Sequence, residues 1–194
     1  MNLDKIGIFF DYTCGDSYRL KSVIDLLEQA GRIEAAWSTF SLKQKRLAEG
    51  EPSPFDAAHI DSLSILALAL AHALREQEDA DFALYHTEVY RALHEEDHHL
   101  APEDVMAIAA GAGLDIGAFK SDQQRWLKSV ASEHQNAEAR WGIFGTPTVI
   151  FDESLAVYAE VGAPVSRLED AERVIDSIRD FADGPAQLVH LERP

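Results

Sequence analysis

A short apolar strand leads into the only cysteine of the chain, and a helix follows that cysteine. Residues 5–11 (KIGIFFD) form a β-prone apolar run that ends at a polar turn, which predicts a buried strand. From Ser17 to Gly31, apolar residues recur at helical spacing. Cys14 therefore lies at a strand end and a helix start. Unpaired N–H groups and the positive end of the helix dipole converge there and favour a thiolate.

A second motif lies far downstream, where residues 144–151 are FGTPTVIF, a Thr-Pro pair leading into a predicted strand. Cys14-x-x-Ser17 after a strand, together with Thr146-Pro147 before one, resembles the thioredoxin-like superfamily. That resemblance implies a cis peptide bond before Pro147, which is a deliberate feature of a tight turn. It also implies that Pro147 packs beside Cys14.

Composition limits the function classes. A chain of 194 residues suits one domain, or one domain with an insertion. The formal charge of −17 argues against nucleic acid and anionic membranes as partners. No apolar leader precedes the first strand and no apolar stretch is long enough to span a bilayer. One cysteine cannot form an internal disulfide, which favours a cytoplasmic location and excludes a dithiol mechanism.

The order of predicted elements is β-α-β, a block of helices, then β-β-α. A polar loop is expected at 43–54, a short hydrophobic turn at 114–119 and a surface tail at 186–194. After the first strand and helix, the predicted elements are a strand at 33–42, helices at 57–76, 82–93, 103–111 and 126–140, strands at 148–152 and 155–161, and an amphipathic helix at 166–181.

This layout resembles the DsbA-like branch of the thioredoxin superfamily, which includes FrnE-type oxidoreductases, 2-hydroxychromene-2-carboxylate isomerases and kappa-class glutathione transferases. The similarity covers essentially the whole chain and is greatest to members with FDYTC-x-x-S-Y and a phrase like TFSLK. The predicted fold class is α/β, a thioredoxin-like fold with an all-helical insertion between its β-α-β and β-β-α halves. The implied domains are a thioredoxin-like domain at 1–54 and 142–194 and an insertion at 55–141.

Cys14 is the predicted nucleophile, because thiolates attack disulfides and electrophilic carbons. Ser17 lies one helical turn further on, so its hydroxyl could donate a hydrogen bond to the sulfur. A serine cannot resolve a mixed disulfide, so an external thiol must do so. Asp16 is expected to oppose the thiolate by like charge, although it suits the first turn of a helix.

The resemblance also implies which residues contact the substrate. The backbone of Thr146 would pair with an extended thiol ligand, and Pro147 would leave room beside the sulfur. Tyr12 and Thr13 are assigned to the same substrate-binding set.

A metal site is not expected, although the chain has eight histidines. The sequence contains no H-E-x-x-H motif and no cysteines at ligand spacing, so the histidine-rich turn is interpreted as a solvated corner. The histidines of the helical block are interpreted as packed side chains, one of which could contact substrate. The turn contains His94, His98 and His99, and the block contains His59, His72 and His86.

The leading functional prediction is a monothiol thiol-disulfide oxidoreductase. No tightly bound cofactor is expected, and a low-molecular-weight thiol such as glutathione would serve as cosubstrate. Partners would be small thiols or disulfides and protein thiols, and a homodimer is plausible from the resemblance alone. Two alternatives stay open: a thiol-dependent isomerase or transferase, whose relatives usually have serine at position 14, and a non-catalytic binding module on the same fold.

Overall fold

The structure is a computed structural model that describes residues 4–56, 62–96 and 100–185. The predicted surface tail at 186–194 lies outside the described residues, as do His59, His98 and His99. None of the helices within the described ranges is long and apolar enough to cross a membrane.

A mixed four-stranded sheet forms the centre of the thioredoxin-like part. Its strands are β1 (Asp4–Phe10), β2 (Ile33–Thr39), β3 (Thr148–Phe151) and β4 (Leu155–Tyr158), in the order β2-β1-β3-β4. β1 is parallel to β2 and antiparallel to β3, and β3 and β4 are antiparallel. The parallel pair needs a crossover, which the first helix supplies.

The helices follow the predicted layout, and six of those within the described residues lie between β2 and β3. The helices are α1 (Gly15–Gln29), α2 (Leu42–Lys45), α3 (Leu63–Gln77), α4 (Asp79–His94), α5 (Asp104–Gly111), α6 (Gly117–Ser121), α7 (Gln123–Trp141) and α8 (Leu168–Ala182). The predicted fold class is therefore confirmed: a thioredoxin-like α/β fold with a helical insertion.

Two large apolar cores correspond to the two parts of the fold. In the first core, Ile6 and Ile8 of β1 pack with the apolar faces of α1 and α8. In the second core, the almost wholly buried α3 packs with α4, α5, α6 and the first half of α7. Phe10, the last residue of β1, belongs to this second core. The strand that precedes Cys14 therefore joins both cores.

Several element boundaries differ from the prediction. β2 ends at Thr39 rather than residue 42, because Ser41 caps α2 by accepting a hydrogen bond from Gln44 N at 3.1 Å. A helix therefore occupies the start of the predicted loop at 43–54. The predicted hydrophobic turn at 114–119 contains the first residues of α6. Of the helix predicted at 57–76, residues 57–61 lie outside the described residues.

Strand register brings the two sequence motifs together. β1 and β3 are antiparallel with Phe9 opposite Thr148, so the carboxyl end of β1 lies beside the start of β3. The loop with Cys14 leaves one strand where the Thr146-Pro147 turn enters the other. The helical insertion thus separates the motifs in sequence but leaves them adjacent at one end of the two central strands.

Candidate active site around Cys14

Cys14 occupies the N-cap position of α1 with an extended backbone. Cys14 is 8% exposed, and its thiol donates a hydrogen bond to the Thr146 carbonyl oxygen, with Sγ and O 3.2 Å apart. The first N–H groups of α1 lack intrahelical acceptors, so they and the helix dipole favour negative charge on the sulfur. The carbonyl, in contrast, favours the protonated thiol, because only S–H can donate to it.

The Thr146–Pro147 peptide bond is cis. Both residues are buried, and Pro147 O accepts a hydrogen bond from Ala159 N at 3.0 Å, which ties the turn to the residue after β4. The Thr146 hydroxyl is buried and has no hydrogen-bond partner among the described residues. The Thr146 carbonyl group, in contrast, points to Cys14 and accepts the hydrogen bond of its thiol.

Ser17 does not form the hydrogen bond to Cys14 predicted from its spacing. Its side chain is fully buried, and Oγ has no hydrogen-bond partner among the described residues. The nearby Thr146 carbonyl is the stronger acceptor for the thiol, and the structure pairs those two groups instead. A catalytic part for Ser17 therefore stays a prediction.

The other two predicted substrate-binding residues, Thr13 and Tyr12, differ in their exposure to solvent. Thr13 is exposed at the rim of the site, and its N–H and hydroxyl both donate to Asp11 Oδ1, at 2.9 and 2.8 Å. The Tyr12 side chain is fully buried, with its hydroxyl 3.2 Å from His86 Nδ1. The Tyr12 side chain thus packs in the core of the helical insertion, and a substrate contact by Tyr12 stays a prediction.

Asp11 is a structural residue of the site that the sequence reasoning missed. Its buried carboxylate accepts hydrogen bonds from Thr13, from Leu42 N at 2.8 Å and from the Ser64 hydroxyl at 3.0 Å. Its carbonyl accepts one from Cys14 N at 3.0 Å. Asp11 thus connects the cysteine loop with the starts of α2 and α3. The available signal was an acidic residue directly after a buried strand.

Asp16 is not a free carboxylate. Its Oδ1 is 2.7 Å from Arg19 Nη2 and accepts a hydrogen bond from Val161 N at 3.2 Å. The guanidinium of Arg19 also donates from Nε to Val161 O. The like-charge opposition expected from Asp16 is therefore reduced by an adjacent cation. The available sequence signal for Arg19 was its i, i+3 spacing from Asp16 in the predicted helix.

Two exposed aromatic side chains adjoin the Thr146-Pro147 turn. Phe144 is 62% exposed, and its ring centroid lies 5.2 Å from that of Tyr158. Tyr158 donates a hydrogen bond to Glu160 at 2.7 Å. Burial, the Glu160 carboxylate and the negative charges of Asp16 and Cys14 raise the pKa of Tyr158, so it stays protonated at neutral pH.

The histidines within the described residues have structural contacts. His94 Nε2 is 2.8 Å from the Tyr12 carbonyl oxygen, and its ring stacks on Tyr18. His72 contacts Thr39 and Glu133, and His86 is fully buried. Among the described residues, no group of three or more His, Cys, Asp or Glu side chains is arranged to hold a metal ion.

Known proteins with similar structures have the same overall fold. A probable DsbA oxidoreductase from Streptomyces coelicolor is 19% identical with a TM-score of 0.65, over 97% of this chain and 94% of that one. The MdbA thiol-disulfide oxidoreductase of Corynebacterium diphtheriae is 16% identical with a TM-score of 0.60, over 91% and 83%. Alpha-DsbA1 of Wolbachia pipientis is 15% identical with a TM-score of 0.59, over 94% and 89%.

Sequence comparison gives the family. No curated protein sequence matches the chain significantly. The profile of the DSBA-like thioredoxin domain matches residues 5–170, which include both motifs of the site and the whole helical insertion. The chain therefore belongs to the DsbA-like thioredoxin domain family.

Proposed function

We propose that this protein is a monothiol thiol-disulfide oxidoreductase that forms mixed disulfides through Cys14. The observation that carries the proposal is the 3.2 Å contact between Cys14 Sγ and Thr146 O. It brings the cysteine of one motif against the turn of the other, at a helix start that favours a thiolate. The similar proteins that are named oxidoreductases support the same chemistry.

The reaction needs two exchanges. The Cys14 thiolate attacks one sulfur of a substrate disulfide, so that a Cys14–substrate disulfide forms and the other substrate sulfur leaves as a thiolate. An external thiolate then attacks the mixed disulfide, forms a new disulfide with the bound substrate sulfur and regenerates the Cys14 thiolate. The second thiol is external because Cys14 is the only cysteine of the chain. A low-molecular-weight thiol such as glutathione suits this step.

The surroundings of Cys14 supply positioning groups. We assign the Thr146 carbonyl and the cis turn at Pro147 to pairing with an extended substrate backbone, which would displace the thiol from that carbonyl. Thr13 lies at the rim, where its exposed side chain can contact the bound group. The lack of an internal disulfide suits a reducing cytoplasm, which is the location we propose.

Turnover and mass spectrometry test the proposal directly. Wild-type protein incubated with a glutathionylated peptide should gain one adduct on Cys14 and release it when reduced glutathione is added. C14S should form no adduct and show no turnover. An exchange rate in wild type no higher than in C14S would contradict the oxidoreductase assignment and favour the non-catalytic binding module.

A serine-to-cysteine variant tests the monothiol character. In S17C a second thiol would lie one helical turn from Cys14, the spacing of a dithiol motif. The adduct should then be released by internal attack, leaving a disulfide between positions 14 and 17 and no accumulated mixed disulfide. Equal adduct accumulation in S17C and wild type would show that position 17 does not reach the sulfur.

A further inference from the structure

Asp16 and Arg19 hold the segment after β4 against the first turn of α1. Asp16 Oδ1 accepts a hydrogen bond from Val161 N at 3.2 Å, and Arg19 Nε donates to Val161 O. The two side chains pair with each other at 2.7 Å. Val161 is thus fixed on both sides of its backbone. We call this arrangement, formed by Asp16, Arg19 and the Val161 backbone, the Asp16–Arg19 clamp.

Gly15 provides the space for the clamp. A Cβ atom at Gly15 would lie 3.2 Å from Arg19 Nη1, closer than ordinary van der Waals contact. The guanidinium therefore lies over the residue next to Cys14. The glycine, the carboxylate and the guanidinium form one structural unit within the first turn and a half of the helix.

The clamp lies within electrostatic range of the reacting sulfur. The Arg19 guanidinium covers Gly15, the residue between Cys14 and Asp16. Asp16 is also only two residues from Cys14 in the chain. A carboxylate at this distance destabilises a thiolate, and a guanidinium stabilises it. Opposite charges in contact largely cancel each other at longer range.

We infer that the Asp16–Arg19 clamp is a positioning device that fixes the loop after β4 beside Cys14, while the Arg19 cation offsets the charge of the Asp16 carboxylate. The inference rests on the proposed function, since it concerns the reactivity of the same sulfur. It assigns a role to Asp16 and to Arg19. Asp16 supplies the anchor, and Arg19 removes the electrostatic penalty of that anchor.

Other charged and titratable groups face the same sulfur. Asp11 lies in the loop before Cys14, Tyr90 approaches from α4 and Tyr158 from β4, and Glu160, after β4, accepts a hydrogen bond from Tyr158. Burial and the negative charges of Asp11 and Cys14 raise the pKa of Tyr90 well above its ordinary value. Both tyrosines therefore stay neutral between pH 5 and 9. Asp11 and Glu160 are unchanged in the variants proposed here, so differences between variants report on the clamp.

The test is the pH dependence of Cys14 alkylation by iodoacetamide, a neutral reagent that reacts with the single cysteine. D16N leaves the Arg19 cation uncompensated, so the pH midpoint of alkylation should fall, by on the order of half a pH unit. R19M leaves the Asp16 carboxylate uncompensated, so the midpoint should rise by a similar amount. Both shifts should shrink in 1 M salt, because salt screens partly exposed charges.

A double variant and a matched pair serve as controls. D16N/R19M carries no net charge change, so its midpoint should return towards that of wild type, even though the loop has lost its anchor. Arg167 and Asp170 form an ion pair of the same types and the same i, i+3 spacing at the start of α8. R167M and D170N should leave the midpoint unchanged.

The outcomes distinguish this inference from the proposed function. Opposite shifts in D16N and R19M, with recovery in the double variant, support the inference. Shifts in the same direction, or none, overturn it while leaving the exchange reaction of wild type intact, because they would show that the clamp only holds the loop. A wild-type cysteine that iodoacetamide does not modify at any pH overturns both.

Discussion

At the scale of single residues, the hydrogen bonds of Asp11 hold the loop that contains Cys14. The carboxylate is fully buried yet accepts hydrogen bonds from Thr13, Leu42 and Ser64. Buried charge is tolerated only when such donors replace water. These donors come from three separate segments, so the residue fixes the loop to the starts of two helices.

Replacing this carboxylate should weaken the whole fold. In D11N, the amide nitrogen would face a group that also donates, so at least one buried hydrogen bond is lost. We expect a loss of about 1 to 3 kcal/mol in the free energy of unfolding. Urea denaturation followed by circular dichroism measures it. D170N, at a solvent-exposed ion pair, should leave the free energy of unfolding nearly unchanged. Equal losses in the two variants would contradict the role of Asp11.

At the scale of secondary structure elements, Glu133 joins α7 to β2 and α3. Its Oε2 accepts hydrogen bonds from the Thr39 N–H and hydroxyl, both at 2.6 Å, and lies 2.9 Å from His72 Nε2. Its Oε1 is 3.0 Å from Arg75 Nη2. Burial alone would raise the pKa of Glu133, but the His72 hydrogen bond and the charges of His72 and Arg75 lower it to about 2.

This lowered pKa makes the junction sensitive to acid. The folded value of about 2 lies below the ordinary value of 4.5, so the stabilisation is complete above pH 4.5 and is lost as pH falls towards 2. The linkage is on the order of 3 kcal/mol at neutral pH. E133Q should therefore be less stable than wild type at pH 7 and lose less additional stability between pH 5 and 2.

The control for this prediction lies on the same helix. Glu138 is more exposed and pairs with Lys45 at 2.7 Å, so E138Q should keep the acid dependence of wild type. Thermal unfolding at half-unit pH intervals compares the three proteins. The same acid dependence in E133Q and wild type would show that Glu133 does not supply the linkage.

At the scale of the whole molecule, His86 lies between the sheet and the helical insertion. Its ring packs against Phe10 of β1 at 4.7 Å and Trp37 of β2 at 4.5 Å, measured between centroids. Its Nε2 has no hydrogen-bond partner among the described residues. Burial, and secondarily the charge of Lys21, lower the pKa of His86 well below its ordinary value of 6.5.

The packing of the helical insertion against the sheet should therefore be less stable in mild acid. The unfolded chain protonates this histidine below pH 6.5 while the folded protein keeps it neutral, so stability falls as pH decreases, by up to about 1.4 kcal/mol per pH unit. H86Q should reduce this slope between pH 6.5 and 5. Burial also lowers the pKa of His134, so H86Q/H134Q should reduce it further. An unchanged slope in both variants would contradict the assignment.

Much of the fold could be predicted from local patterns. The alternation of strand and helix signals gave the β-α-β and β-β-α halves, and the unbroken apolar run of α3 indicated a buried helix. The end of β2 and the presence of α2 could not be predicted, because a side-chain cap at Ser41 decided them. The site was predicted in part: both motifs meet, but Tyr12 faces the helical core and Asp11 and Arg19 were missed.

The sequence by itself determined the family, the fold class and the candidate nucleophile, because motif spacing and hydrophobic periodicity are local properties of the chain. Only the tertiary structure decided which groups surround that nucleophile. The thiol pairs with Thr146 rather than Ser17, and Asp16 and Arg19 both bind the distant Val161 backbone. These are contacts between distant segments or competing partners, and their outcome depends on burial and geometry that no local pattern records.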